Sequence, residues 1–202
     1  MAALGRVCSW HCGPVRVLAL MACLSGCASV PTSNQPVWTT LLDQSGWQAW
    51  NVVGDANWWM EDGSASANSG TGFLISRETY ADFDLRVEFW VDAEANSGVF
   101  LRCEDPLSIT PARCYEVNVF DSRPDLANGT GSIVRVAPAS TKVTTSGQWN
   151  TFEIQASGDH LLVTLNGVRV VDVRDPKRAS GHIALQRAAG AVKIRKVQVR
   201  RL

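Results

Sequence analysis

The chain has 202 residues, of which 46% are hydrophobic and 19% charged, and its nineteen Lys and Arg balance nineteen Asp and Glu. That composition supplies one good apolar core and excludes a disordered polymer. No basic stripe is present, so a nucleic-acid-binding surface is excluded as well.

Arg6 and Arg16 precede or open the apolar run Val15 to Leu24, which ends in Leu24-Ser25-Gly26-Cys27. A basic segment, a short apolar segment and small residues before a cleavage point predict a secretory signal; a spanning helix needs about twenty apolar residues. The four residues ending at Cys27 resemble a bacterial lipobox, in which the cysteine is acylated and becomes the new N-terminus. Residues 1–26 are therefore expected to be a lipoprotein signal peptide, and 27–37 the lipidated Cys27 with a Pro- and Ser-bearing tether. Residues 38–202 are the expected folded domain. Lipidation would anchor the protein in a membrane without spanning it. Ala28, not Asp, follows Cys27, which favours the outer membrane and a periplasmic face.

Only Cys103 and Cys114 fall in the folded part. They stand at the end of one predicted strand and the start of the next. Either they form a disulfide closing the loop Glu104 to Arg113, which an exporting compartment permits, or they are two buried thiols. No further ligand has metal spacing, so neither metal nor cofactor is expected.

The domain opens with short apolar pieces separated by turn residues, and five tryptophans occupy positions 38 to 59. Packing accounts for most of them, with one left to stack on a sugar ring. Glu61-Asp62-Gly63 is a hairpin signal. Gly70 to Ile75 leads to Tyr80 and Phe83, and then to the most informative stretch.

From Asp84 to Val91, apolar residues alternate with Asp84, Arg86, Glu88 and Trp90. The run Val99 to Cys103 puts Val99, Leu101 and Cys103 on one side and Phe100 and Arg102 on the other. Tyr115 to Phe120 sends Glu116, Asn118 and Phe120 opposite Tyr115, Val117 and Val119. If these three strands are neighbours, Arg86, Glu88, Arg102, Glu116 and Asn118 gather on one sheet face, with Asn96 and Ser97 at its rim. Charges, amides and aromatics on one face suit a sugar. The alternative is the solvated face of an ordinary antiparallel sheet.

Beyond Asp121, residues 123–130 form a polar loop and Gly131 to Val136 is predicted as a strand. Further strands are expected at Trp149–Ala156, Leu161–Leu165, Val168–Val173, His182–Gln186 and Val192–Val199. Asn166-Gly167 is a two-residue hairpin turn. No helical periodicity is sustained, and closely spaced strands indicate an all-β sandwich.

The ordered landmarks Gly46-Trp47, Glu61-Asp62-Gly63, Tyr80 to Phe89, Asn96 to Arg102, Tyr115-Glu116-Val117, Leu165-Asn166-Gly167 and Gly181 to Gln186 resemble the family of 3-keto-disaccharide hydrolases. The resemblance covers Trp38 to Leu202. It implies a jelly-roll β-sandwich of the concanavalin A-like lectin/glucanase type. It also implies cleavage of glycosides already oxidised at C3, by elimination and then hydration at the anomeric carbon. On that basis Glu116, Arg102 and Glu88 are the catalytic candidates. The carboxylates would move protons, and Arg102 would steady an enolate. Asn96, Asn118, Arg86 and Phe100 are the substrate-binding candidates. The chain departs from the family in carrying Asn118 where Gln is common, and in lacking a His after Leu185-Gln186. A carbohydrate-binding lipoprotein of the same fold is the second reading. A conventional retaining glucanase ranks third, because Glu116-x-Asn118-x-x-Asp121 carries an amide at its centre. A carbohydrate and a lipid anchor are the expected partners, and the oligomeric state is not legible.

Overall fold

The computed structural model describes residues 37–202. The signal segment, Cys27 and most of the tether lie outside the described residues. Thirteen strands and no helix occur among the described residues. They are β1 (Thr39–Leu42), β2 (Trp50–Gly54), β3 (Trp59–Glu61), β4 (Ser64–Ala67), β5 (Gly72–Tyr80), β6 (Phe83–Val91) and β7 (Asn96–Cys103), followed by β8 (Tyr115–Val119), β9 (Trp149–Ser157), β10 (His160–Leu165), β11 (Val168–Arg174), β12 (Gly181–Ala189) and β13 (Val192–Arg201). An eight-stranded sheet runs β11-β10-β9-β6-β13-β4-β3, with β1 also on β13. A five-stranded sheet runs β2-β5-β12-β7-β8. The two form an all-β sandwich.

The alternation seen in the sequence builds the core. Leu85, Val87, Phe89 and Val91 of β6 meet Phe152 and Ile154 of β9 and Val197 and Val199 of β13. From the other sheet come Leu74, Val99, Leu101, Tyr115, Val117 and Leu185. Phe89 stacks on Phe152 with ring centroids 4.9 Å apart. The two-residue turns follow their residue types. Asp62 and Gly63 have φ of 48° and 73°, and Asn166 and Gly167 have 50° and 81°, so both pairs take the left-handed backbone of a tight hairpin. Trp50 is core: it is 3% exposed and its indole N–H donates to Leu41 O at 2.8 Å.

Three expectations are corrected. Residues 131–136 are not a strand. Asn118 N donates to Ser132 O and Val134 N to Glu116 O, so the segment lies against β8 for one bridge only, Val117↔Ile133. Arg135 then adopts φ 64° and Ile133 N turns to Ala137 O, which ends any ladder. Nor do the strands bearing Arg86, Glu88, Arg102 and Glu116 share a sheet. β6 pairs with β9 and β13, while β7 and β8 pair with each other in the second sheet.

Cys103 and Cys114 are joined in a disulfide, with Cα atoms 4.6 Å apart. Cys103 faces away from the sandwich core, in a smaller apolar cluster with Ile75, Phe100, Cys114 and Ala184. The parity expected from a regular strand, with Cys103 beside Val99 and Leu101, fails because Arg102 has φ 51° and the β12–β7 register slips between His182 and Ala184. Ile109, from the loop that the bridge closes, packs on this cluster. Cys103→Ser is expected to lower unfolding stability by about 3 kcal/mol through the freed loop closure. Urea denaturation of the variant beside the disulfide-bonded parent chain checks this.

Candidate functional site

Cross-strand register assembles the outer face of the five-stranded sheet, the side turned away from the core. Phe73, Gln186, Gly98 and Asn118 stand opposite one another in a row across β5, β12, β7 and β8. The adjacent row is Ile75, Ala184, Phe100 and Glu116. The floor between the polar groups is Gly98. A Cβ there would meet Val117 O at 3.2 Å and Glu116 Oε1 at 3.4 Å, so the Glu116 side chain leans over bare backbone. Strands are spaced about 4.8 Å apart, which leaves roughly 10 Å between the backbones bearing Gln186 and Asn118, enough for a sugar ring.

Three acceptors border that strip. Glu116 is 7% exposed, and its carboxylate makes no hydrogen bond or ion pair among the described residues. Burial alone pushes its pKa up to about 7. Asn118 is 5% exposed. Its amide nitrogen donates to Asn128 O at 2.5 Å, while its Oδ1 is buried and unpaired among the described residues. Gln186 Oε1 is likewise buried without a partner among the described residues. Buried acceptors left open are costly, so the geometry asks for donors from a ligand. Hydroxyl groups are donors of that kind.

Two loops wall the strip. The disulfide-closed loop 104–113 covers the Phe100 end. The segment after β8 is held by Asp121. Burial pushes the Asp121 carboxyl up, but hydrogen bonds from Thr130 Oγ1, Thr145 N and Oγ1, and Ser146 N outweigh burial and keep it below the usual carboxylate range. That carboxylate is spent on pinning the loop that brings Asn128 to Asn118.

Of the sequence candidates, the structure brings Glu116 and Asn118 together, with Asn96 on the same strand parity as Gly98 at the rim. The others are elsewhere. Arg102 is fully buried and reaches the far end of the sandwich. Its Nε and Nη2 donate to Ala81 O, its Nη1 to Gly158 O and Arg178 O, and Nη2 also to Asp82 Oδ1. All five guanidinium donors are used, so nothing remains for an enolate. Phe100 is 1% exposed. It packs edge-on to Phe73, at 5.5 Å between centroids, beneath the loop, and is floor with no open ring face.

Arg86 and Glu88 lie on the outer face of the eight-stranded sheet. Arg86 pairs with Glu153 at 2.8 Å and Glu88 with Arg195 at 2.7 Å, members of a solvated charge ladder. Glu88→Gln should leave any turnover unchanged and shift stability by no more than about 1 kcal/mol, read by parallel rate assays and thermal melts.

Gln186 was not among the sequence candidates. The alternation along β12, with Ile183 and Leu185 buried in the core, places it on the outer face, and that signal was available. No set of three or more His, Cys, Asp or Glu able to hold a metal occurs among the described residues.

The family model of the 3-keto-alpha-glucoside-1,2-lyase-like domain matches residues 37–200. Among solved structures, a candidate glycosyl hydrolase from Parabacteroides distasonis is 23% identical with a TM-score of 0.71, over 82% of this chain and 100% of its own. A second from the same organism is 16% identical with a TM-score of 0.70, over 82% and 94%. The carbohydrate-binding module CBM66 from Bacillus subtilis is 17% identical with a TM-score of 0.58, over 83% and 97%. At these identities the likeness is one of fold. No curated protein matches the chain.

Proposed function

The chain belongs to the 3-keto-alpha-glucoside-1,2-lyase-like family, and from that premise we propose that the outer face of its five-stranded sheet cleaves 3-keto-glycosides, with Glu116 as the base. The observation that carries this reading is the Glu116 carboxyl, buried beside Gly98 with no partner among the described residues and with its pKa raised to about 7. A general base works best when its pKa lies near the operating pH.

The ketone at C3 acidifies the C2 hydrogen. Glu116 takes that proton, and the C2–H electrons form the C2–C3 double bond of an enolate. The enolate reforms the ketone, a C1–C2 double bond appears, and the C1–O bond breaks with its electrons on the departing oxygen. Water protonates that oxygen, and the hydroxide so formed takes the C2 proton back from Glu116, which restores the base. A second water then adds across C1–C2, hydroxyl to C1 and proton to C2, so the sum is hydrolysis. Gln186 contributes an amide that both donates and accepts, and it is the side chain suited to meet the enolate oxygen. Asn118 Oδ1 receives a sugar hydroxyl. Export and lipid attachment at Cys27 belong to the same proposal, since they would hold this site where exported sugars are met.

One observation favours a second reading, saccharide binding without turnover: Arg102 is committed elsewhere, and no cation from the sequence candidates stands beside Glu116. A product assay with a 3-keto-glucoside separates the two. Release of the aglycone with a 3-keto sugar or its 1,2-unsaturated form supports the base role. Binding of the same compound with no product overturns it.

A further inference from the structure

The eight-stranded sheet carries a second aromatic cleft on its own outer face, away from Glu116. Trp90 of β6 and Trp149 of β9 are direct cross-strand partners and line a cavity of about 370 Å³ together with Glu61, Asp62, Lys193 and Arg195. That volume lies at the lower end of small-ligand clefts, roughly 300–1,000 Å³. Trp149 remains 38% exposed, an uncommon position for so large an apolar ring in a sheet that has a full core to fill. Arg195 lies 4.3 Å from its ring centroid and Lys193 lies 5.9 Å from that of Trp90, which fixes both rings in place. Trp38, further along the same face, differs in being clasped by two guanidiniums, Arg86 and Arg200, at 5.3 and 5.0 Å, against one cation for each ring of the cleft.

The charges narrow the ligand. Lys193 is paired with Glu61 at 3.3 Å and Arg195 with Glu88 at 2.7 Å, so neither cation is free to draw an anion. Asp62, held at φ 48° by the hairpin turn, makes no ion pair among the described residues and offers a free acceptor at the rim. Aromatic surface with neutralised cations and an open acceptor fits a neutral saccharide. The C–H face of such a sugar packs on indole, and its hydroxyls donate to carboxylates.

We propose that the Trp90–Trp149 cleft is a second binding site for a neutral oligosaccharide, separate from the Glu116 face and independent of whether that face is catalytic. It would hold a sugar chain to the sheet opposite the one bearing Glu116.

Isothermal titration of the full chain with cellohexaose, laminarihexaose and maltohexaose tests this. At least one hexaose is expected to bind saturably, with Trp149→Ala weakening it tenfold or more and Gln186→Leu leaving it unchanged. Trp149 is 38% exposed at the start of its strand and stands outside the core cluster, so its truncation leaves the core packing intact. If none of the three hexaoses binds, if Trp149→Ala binds as the parent does, or if Gln186→Leu is the change that abolishes binding, the second site is overturned.

Discussion

Glu116→Gln is expected to lower kcat on a 3-keto-glucoside by about 10² to 10⁴, the usual contribution of a positioned base, while leaving the sandwich folded. The amide has nearly the carboxylate's shape, so the strip beside Gly98 keeps its contour and substrate should still bind. A KM within a few-fold of the parent and a collapsed kcat is therefore the pattern expected. Because the base works only when ionised, the parent's rate should climb through about pH 7 on its acid side, where the buried carboxyl loses its proton.

The same burial makes a prediction independent of substrate. The folded-state pKa of Glu116 is raised above its unfolded value, so the native state resists ionisation. Below the unfolded pKa both states are protonated and there is no penalty. As pH rises from about 4.5 through about 7, stability is lost, and the full penalty of about 3 kcal/mol is present above pH 7. Glu116→Gln should match the parent in urea at pH 4 and exceed it at pH 8. Equal stability at both values, with parental kcat, would mean that Glu116 is neither buried as described nor the base.

How much of this was legible follows from which forces are local. Alternation and turn chemistry are local. β6, β9, β10 and β13 were readable from every second residue, and the Asp62-Gly63 and Asn166-Gly167 hairpins from the backbone those residues favour. Sheet membership is a long-range choice. Arg86 and Glu88 show the same polar alternation as Glu116 and Asn118, but β6 packs between β9 and β13 while β8 sits at the far end of the other sheet. Nothing in the local alternation distinguishes those fates. For Arg86 and Glu88 the solvated-face alternative is the correct one, and for Glu116 it is not. The difference is the loop over the latter, pinned by Asp121 and closed at its other wall by Cys103–Cys114.

Arg102 is the sharper case, because reading it as a catalytic cation assumed a regular strand. At φ 51° the chain leaves the β region for one residue, the strand's parity breaks, and the guanidinium is delivered inward to three backbone carbonyls and Asp82. Those carbonyls belong to Ala81, Gly158 and Arg178, in three separate connections, so one side chain ties the β5–β6 turn, the β9–β10 turn and the segment before β12 together. Burial lowers its pKa, with Asp82 opposing, yet five satisfied donors keep the charge tolerable.

Removing it leaves three carbonyls without their side-chain donor and empties the space that the fully buried guanidinium fills. Arg102→Ala is expected to cost about 3–5 kcal/mol, an apparent Tm drop of about 10 °C for a domain of this size. Arg102→Lys should fare little better, since three donors on a flexible stem cannot span three connections. Any activity lost in these variants should return when they are assayed at low temperature, where the fold persists. A variant that melts like the parent but has lost all turnover would restore Arg102 to the chemistry and displace the clamp described here.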